Sequence, residues 1–199
     1  MGWKRTGVAA ALLMGLGVAG GAPAAEACET YKALSATELK EFRNKLTEKE
    51  ADPIDRLFAY QELACSDQPV MRAYAIRAGM ENARDPILRQ QIAFDALMAM
   101  PRVDVELSGN DLGKNAKRYI EGEGNVISST VRYRDFKKGC LSFYSSDSCQ
   151  EGSAMTIKGD TLLVSGSNLV GTLALTETGE FIGTVRYRGD PITARVRIY

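Results

Sequence analysis

Apolar residues recur every three or four positions between Leu34 and Met100, and every second position from Val103 to the end of the 199-residue chain, with Pro101 between the two regimes. The first period belongs to helices that bury one face, the second to strands that do the same. A chain written this way is neither uniformly helical nor uniformly β. It predicts an α+β protein, with an N-terminal antiparallel helical domain at residues 28–101 and an antiparallel β domain at residues 102–199.

The helical part has clear start signals. Ser35 and Glu38 form a capping-box pattern, with Leu34 placed to staple onto Leu39, and that helix is expected to run to about Glu50. Asp52-Pro53 and Asp85-Pro86 each combine an N-cap with a proline at the first helical position, and Gln68-Pro69 repeats the device less well. These restarts expose an internal repeat, Pro-[Ile/Val]-x-Arg, at Pro53–Arg56, Pro69–Arg72 and Pro86–Arg89. Small or apolar residues follow in register: Ala59, Ala75 and Ile92, then Leu63, Gly79 and Ala96.

The stretch over residues 53–100 resembles a HEAT-like helical repeat. The resemblance implies stacked antiparallel helices and a binding surface. A plain four-helix cap with similar helix starts is the alternative. Met71, Met80, Met98 and Met100 recur at helix-face spacing and are expected to pack in the core.

Beyond Pro101 the expected strands are Val103–Leu107, Lys117–Glu121, Val126–Arg134, Cys140–Tyr144, Ala154–Ile157, Thr161–Ser165, Leu169–Leu175, Phe181–Arg188 and Ile192–Ile198. Gly, Asn, Asp and Pro punctuate them, which predicts a meander closing into a small barrel or sandwich. Thr130–Arg134 recurs as Thr184–Arg188, and Arg195–Tyr199 alternates similarly. Alternation places Val131, Tyr133, Val185, Tyr187, Val196 and Ile198 on one face, and Arg132, Arg134, Arg186, Arg188, Arg195 and Arg197 on the other. That arginine face is the candidate binding site, because guanidinium favours bidentate contact with carboxylate or phosphate. An outer-membrane barrel is not expected: most strands are shorter than the roughly 9–11 residues a crossing needs.

The first 27 residues read as a secretory leader. Lys4-Arg5 precedes an apolar run from Val8 to Ala19, and small residues lead to a cleavage site expected after Ala27. Glu26-Ala27 before Cys28 departs from the pattern of a lipidated cysteine. Removing Lys4, Arg5 and Glu26 from a chain with 25 basic and 25 acidic residues leaves a net charge of −1. A balanced chain gives no argument for nucleic acid or for an anionic membrane. An even set of cysteines in an exported chain predicts disulfides, and short antiparallel helices suggest the pairing Cys28–Cys65, with Cys140–Cys149 across a hairpin loop. A metal is not expected, since the chain has no histidine and no C-x-x-C pair.

The same absence excludes Ser-His-Asp and Cys-His chemistry, and no phosphate-binding or dinucleotide fingerprint occurs. Ser165–Asn168 is expected to be a turn. Glu121 with Glu123, or Asp147 with Glu151, are the carboxylate pairs a hydrolase could use. The sequence therefore predicts an exported, non-enzymatic binding protein of the bacterial periplasm without a cofactor, its partner a protein or an anionic envelope component. An inhibitor or immunity protein that blocks an envelope hydrolase, presenting Ser145–Ser148, is the alternative. A carboxylate-dependent hydrolase is the third.

Overall fold

The computed structural model describes residues 28, 30–109, 112–150, 152–166 and 168–199. The expected leader, residues 1–27, lies outside them, as do Glu151 and Ser167. Four helices come first: α1 (Ala36–Thr47), α2 (Pro53–Ala64), α3 (Pro69–Asn82) and α4 (Pro86–Ala99). The strands are β1 (Arg102–Ser108), β2 (Val126–Thr130), β3 (Tyr133–Asp135), β4 (Cys140–Ser142), β5 (Ala154–Lys158), β6 (Thr161–Gly166), β7 (Leu169–Leu175), β8 (Glu180–Tyr187) and β9 (Asp190–Arg197), with α5 (Lys114–Glu123) between β1 and β2.

The capping signals act as their chemistry requires. Ser35 Oγ accepts from the Glu38 amide while the Glu38 carboxylate accepts from the Ser35 amide. Asp52 accepts from the Ile54 amide, and Asp85 from the Leu88 amide. Helix α1 stops at Thr47, three residues short of the expected Glu50.

The arginine of each repeat has a common physical task. Arg56 donates to the carbonyls of Glu48, Lys49 and Asn82, Arg72 to Ser66, and Arg89 to Ala83. Each sits in the first turn of its own helix and reaches back to carbonyls at or just beyond a helix end. These are the acceptors a helix leaves unsatisfied, and they carry the negative end of its dipole. The apolar residue of each repeat, Ile54, Val70 or Ile87, is exposed, so the repeat encodes capping rather than core packing.

The β segment is one antiparallel sheet in the order β2-β1-β9-β8-β7-β6-β5-β4-β3. Its two edge strands are consecutive in the chain. Only Val131 and Arg132 separate them: the Val131 amide donates to Pro101 beside β1, and the Arg132 amide donates to Ser142 on β4, each at 2.9 Å. The sheet is therefore curled into a half-barrel, short of the closed barrel or sandwich expected, with its unpaired edge strands joined in the chain through these two residues. The expected single strand Val126–Arg134 is broken there, because it changes pairing partner between β2 and β3. Gly171 and Gly183 face the inside of the curl on β7 and β8. A Cβ on Gly183 would lie 2.3 Å from the Thr172 carbonyl oxygen, so only glycine allows the strands to coil this tightly. The β8–β9 hairpin turns through Arg188 and Gly189, both at positive φ, as a two-residue primed turn requires.

The expected strand Lys117–Glu121 is instead part of α5. Lys, Ala, Arg and Glu favour a helix, and Tyr119 packs on Tyr187 with ring centroids 4.8 Å apart. No side chain of α5 caps its own N-terminus. Asp190, from the distant β8–β9 turn, does so, accepting from the Asn115 amide at 2.7 Å and the Ala116 amide at 3.3 Å. Asp190→Ala is expected to cost about 1–2 kcal/mol, the usual size of a lost N-cap, measured by urea unfolding. Asp190→Asn should recover most of it; equal losses in the two variants would refute the capping role.

Helices α3 and α4 lie against the end of the sheet that carries the β3–β4, β5–β6 and β7–β8 turns. Phe94 meets Phe136 edge-on at 6.5 Å, Gln90 borders Gly159, and Met80 borders Gly179. Helix α5 covers part of the opposite end. The buried residues of both halves form one apolar cluster, including Leu46, Ile92 and Met98 from the helices and Leu107, Leu162, Phe181 and Val196 from the sheet. Met80 and Met98 are buried there, and Met71 and Met100 are half-buried against it. The disulfides are Cys28–Cys65 and Cys140–Cys149, the pairing expected from helix geometry and loop spacing.

Candidate functional site

Side chains fill the curl, and the cavity bordered by Val105, Ile127, Phe143, Met155, Val164 and Leu169 measures about 10 Å³, the volume of roughly one water.

The concave feature lies instead where the helices meet β3. It is a cleft of about 820 Å³. Helix α2 contributes Tyr60, Glu62 and Ala64; α3 contributes Arg72 and Ile76; α4 contributes Gln91, Asp95 and Met98. Arg134 and Phe136 form the wall from the sheet side, and Cys28, Tyr31 and Lys32 close it with an N-terminal strap. The strap is held at several points. Cys28 is bonded to Cys65, the Lys32 amide donates to the Cys65 carbonyl at 2.8 Å, and the Asp67 amide donates to the Lys32 carbonyl at 2.9 Å. Lys32 also pairs with Glu62 at 2.8 Å, and the Arg72 guanidinium lies over the Tyr31 ring, 4.5 Å from its centroid.

Asp95 is the chemically unusual group of the cleft. Its Oδ2 accepts from the Tyr60 hydroxyl at 3.0 Å and its Oδ1 from the Gln91 amide at 2.9 Å. Burial pushes its carboxyl up to about 6, against the pull of the two hydrogen bonds. The Tyr60 hydroxyl is pushed well above its ordinary value, first by burial and then by the Asp95 charge. The fold thus favours the protonated form of Asp95. The stability this contributes is present below the ordinary aspartate value of about 4, and is lost as pH rises from about 4 to about 6.

The arginines chosen from the alternation have different partners. Arg195 and Arg197 form ion pairs with Glu106 and Glu180, Arg197 at 3.2 and 3.1 Å. Arg186 donates to the Gly189 carbonyl, and Arg188 leans over the Tyr187 ring. Arg132 is exposed at the junction of β2 and β3. Arg134 departs from the expected solvent face: it is half-buried, and its Nε and Nη2 donate to the Met98 and Met100 carbonyls at 2.7 and 2.6 Å. The end of α4 stacks on β3 here, and its open carbonyls take the guanidinium.

Of the carboxylates chosen from sequence, Glu121, Glu123 and Asp147 lie outside the cleft, and Glu151 is outside the described residues. Glu121 and Glu123 are exposed on α5. Asp147 sits in an exposed loop and accepts from the Ser145 and Ser148 hydroxyls, which hold its carboxyl below the usual range. A general acid needs the opposite direction. Asp95 was not singled out from the sequence. Its only signal is an acidic residue in the otherwise apolar run Ile92–Met98 of a helix.

Among the described residues, no group of three or more cysteines, aspartates and glutamates is placed to hold a metal ion. No described helix is long and apolar enough to cross a membrane. No known protein-family model, curated protein or solved structure matches this chain.

Proposed function

We propose that this chain is an exported, non-enzymatic binding protein of the bacterial periplasm, and that its ligand seats in the cleft between the helices, the N-terminal strap and β3. One observation carries the reading. The cleft has the volume of small-molecule sites, and aromatic and apolar side chains such as Tyr31, Ile76, Met98 and Phe136 share its lining with charged groups of both signs, Lys32, Arg72, Arg134, Glu62 and Asp95, that can orient a ligand. The leader-like N-terminus supports export, and two disulfides fit an oxidising, extracytoplasmic compartment. The ion pairs of Arg195 and Arg197 favour the cleft over the arginine face as the primary site.

The test uses a tryptophan reporter. The only tryptophan, Trp3, lies in the expected leader, so Phe136→Trp gives the processed protein a single tryptophan, in the cleft wall, that can be excited selectively over its tyrosines. A panel of amino acids, short peptides, sugars and small organic acids should contain at least one member that changes its emission saturably. Filling the cleft with Ala99→Phe in the same background should weaken that response tenfold or more. No saturable response at millimolar concentration, or one indifferent to Ala99→Phe, would refute the cleft as a ligand site.

An envelope-hydrolase inhibitor is the second reading. It is supported by the exposed loop Ser145–Ser148, which lies inside the ring closed by Cys140–Cys149 and is stiffened by hydrogen bonds among Ser145, Asp147 and Ser148. An inhibitor should recover one enzyme stoichiometrically from periplasm, with recovery lost on loop replacement.

A further inference from the structure

We propose that Asp95 anchors the ammonium group of a zwitterionic ligand, of the class of free amino acids and short peptides, in the cleft. The proposal rests on the cleft being a ligand site and names what it takes.

An ionised carboxylate offers about four acceptor positions. Two are used at Asp95, both by neutral donors, Tyr60 and Gln91. These donors fix the direction of the carboxylate. Asp95 forms no ion pair with any described lysine or arginine. A carboxylate half withdrawn from water without a cation is disfavoured, and a bound ammonium would supply the missing charge together with donors for the two open positions.

The other charges in the cleft decide against a simple cation. Lys32 and Glu62 neutralise each other at 2.8 Å. Arg72 uses one nitrogen on the Ser66 carbonyl, and Arg134 uses two on the Met98 and Met100 carbonyls. Both retain N–H groups. An amine alone would meet two guanidiniums in the same space, and a carboxylate alone would meet Asp95. A ligand with an amine at one end and a carboxylate at the other satisfies both sets. The volume admits a peptide of a few residues, with Tyr31, Ile76, Met98 and Phe136 as apolar wall.

The experiment is calorimetric titration of the full processed protein with trialanine, N-acetyl-trialanine and trialanine amide. Trialanine is expected to bind. Acetylation should weaken binding tenfold or more by removing the ammonium, and amidation should weaken it several-fold. Asp95→Asn should reduce the affinity for trialanine to that of the acetylated peptide. The variant should also unfold at an equal or higher temperature at pH 7.5, because it removes a partly desolvated charge. A purely structural Asp95 would not combine lost binding with retained stability. Should Asp95→Asn prove unstable, the acetylated peptide on the unmodified protein decides alone. Equal affinities for free and acetylated trialanine would overturn the ammonium anchor while leaving the cleft a peptide site, as would full binding by a folded Asp95→Asn. Failure of all three peptides to bind at millimolar concentration would also overturn it, and the reporter panel with Ala99→Phe would then judge the cleft independently.

Discussion

Replacing Arg56 with Met is expected to lower the unfolding free energy by about 3–4 kcal/mol, a fall in Tm of about 10 °C for a chain of this size. Arg56 is 6% exposed, and its guanidinium is shared among three carbonyls from two helix ends: Glu48 and Lys49 after α1, and Asn82 at the end of α3. A hydrogen bond to a charged group contributes about 1.5–3 kcal/mol, and an acceptor stripped of its partner away from water costs about 1–3 kcal/mol. Glu48 and Lys49 are exposed enough for water to replace part of the loss, which holds the total below the sum of three such terms. Methionine keeps most of the aliphatic volume, so the loss reports the capping charge rather than a cavity. The matching variants Arg72→Met and Arg89→Met each release one carbonyl and should cost about 1 kcal/mol. Urea unfolding of the three proteins supplies the ranking. An Arg56→Met loss no larger than the other two would show that the three-carbonyl cap does not hold the helices together.

Removing the Cys28–Cys65 disulfide, as Cys28→Ser with Cys65→Ser, is expected to destabilise the protein by about 4 kcal/mol and to weaken binding in the cleft. The bond joins residues 37 apart, and in the chain-entropy model a loop of that length contributes about 4 kcal/mol, against about 3 kcal/mol for the separation of 9 at Cys140–Cys149. The consequence for the cleft follows from position. Cys28, Tyr31 and Lys32 form one wall, and without the bond the strap is held by two backbone hydrogen bonds, an exposed ion pair and the Tyr31–Arg72 contact. An exposed pair contributes only about 0–1 kcal/mol, which leaves the disulfide as the strongest tether of the strap. Removing Cys140–Cys149 should lower stability without changing cleft affinity, since neither cysteine borders the cleft. Denaturant unfolding and titration of the cleft ligand measure the two effects separately. Unchanged affinity after loss of Cys28–Cys65 would exclude the strap from the site.

What the sequence determined by itself is local or periodic. Helix starts at Ser35, Asp52 and Asp85 follow from side chains that reach amides two or three residues away. The change of period at Pro101 separates helices from strands, because burial of one face imposes its own repeat on each. Cysteine spacing and two short antiparallel helices were enough to pair the disulfides. Other features required groups distant in the chain. The strand expected at Lys117–Glu121 became α5, whose cap is Asp190, more than seventy residues away. Alternation put Arg134 on the outer face, but the carbonyls that receive it belong to the end of α4, and only the packing of helix on sheet brings them together. The break at Val131–Arg132 exists because the chain passes there from one edge strand of the curled sheet to the other, a property of the sheet's topology and not of those residues. Asp95 in a sequence is one acidic residue on a helix. It becomes a half-buried carboxylate with two neutral donors and no ion pair to a described lysine or arginine only when α2, α4, the strap and β3 surround it, because desolvation is set by everything around a group and not by its neighbours in the chain.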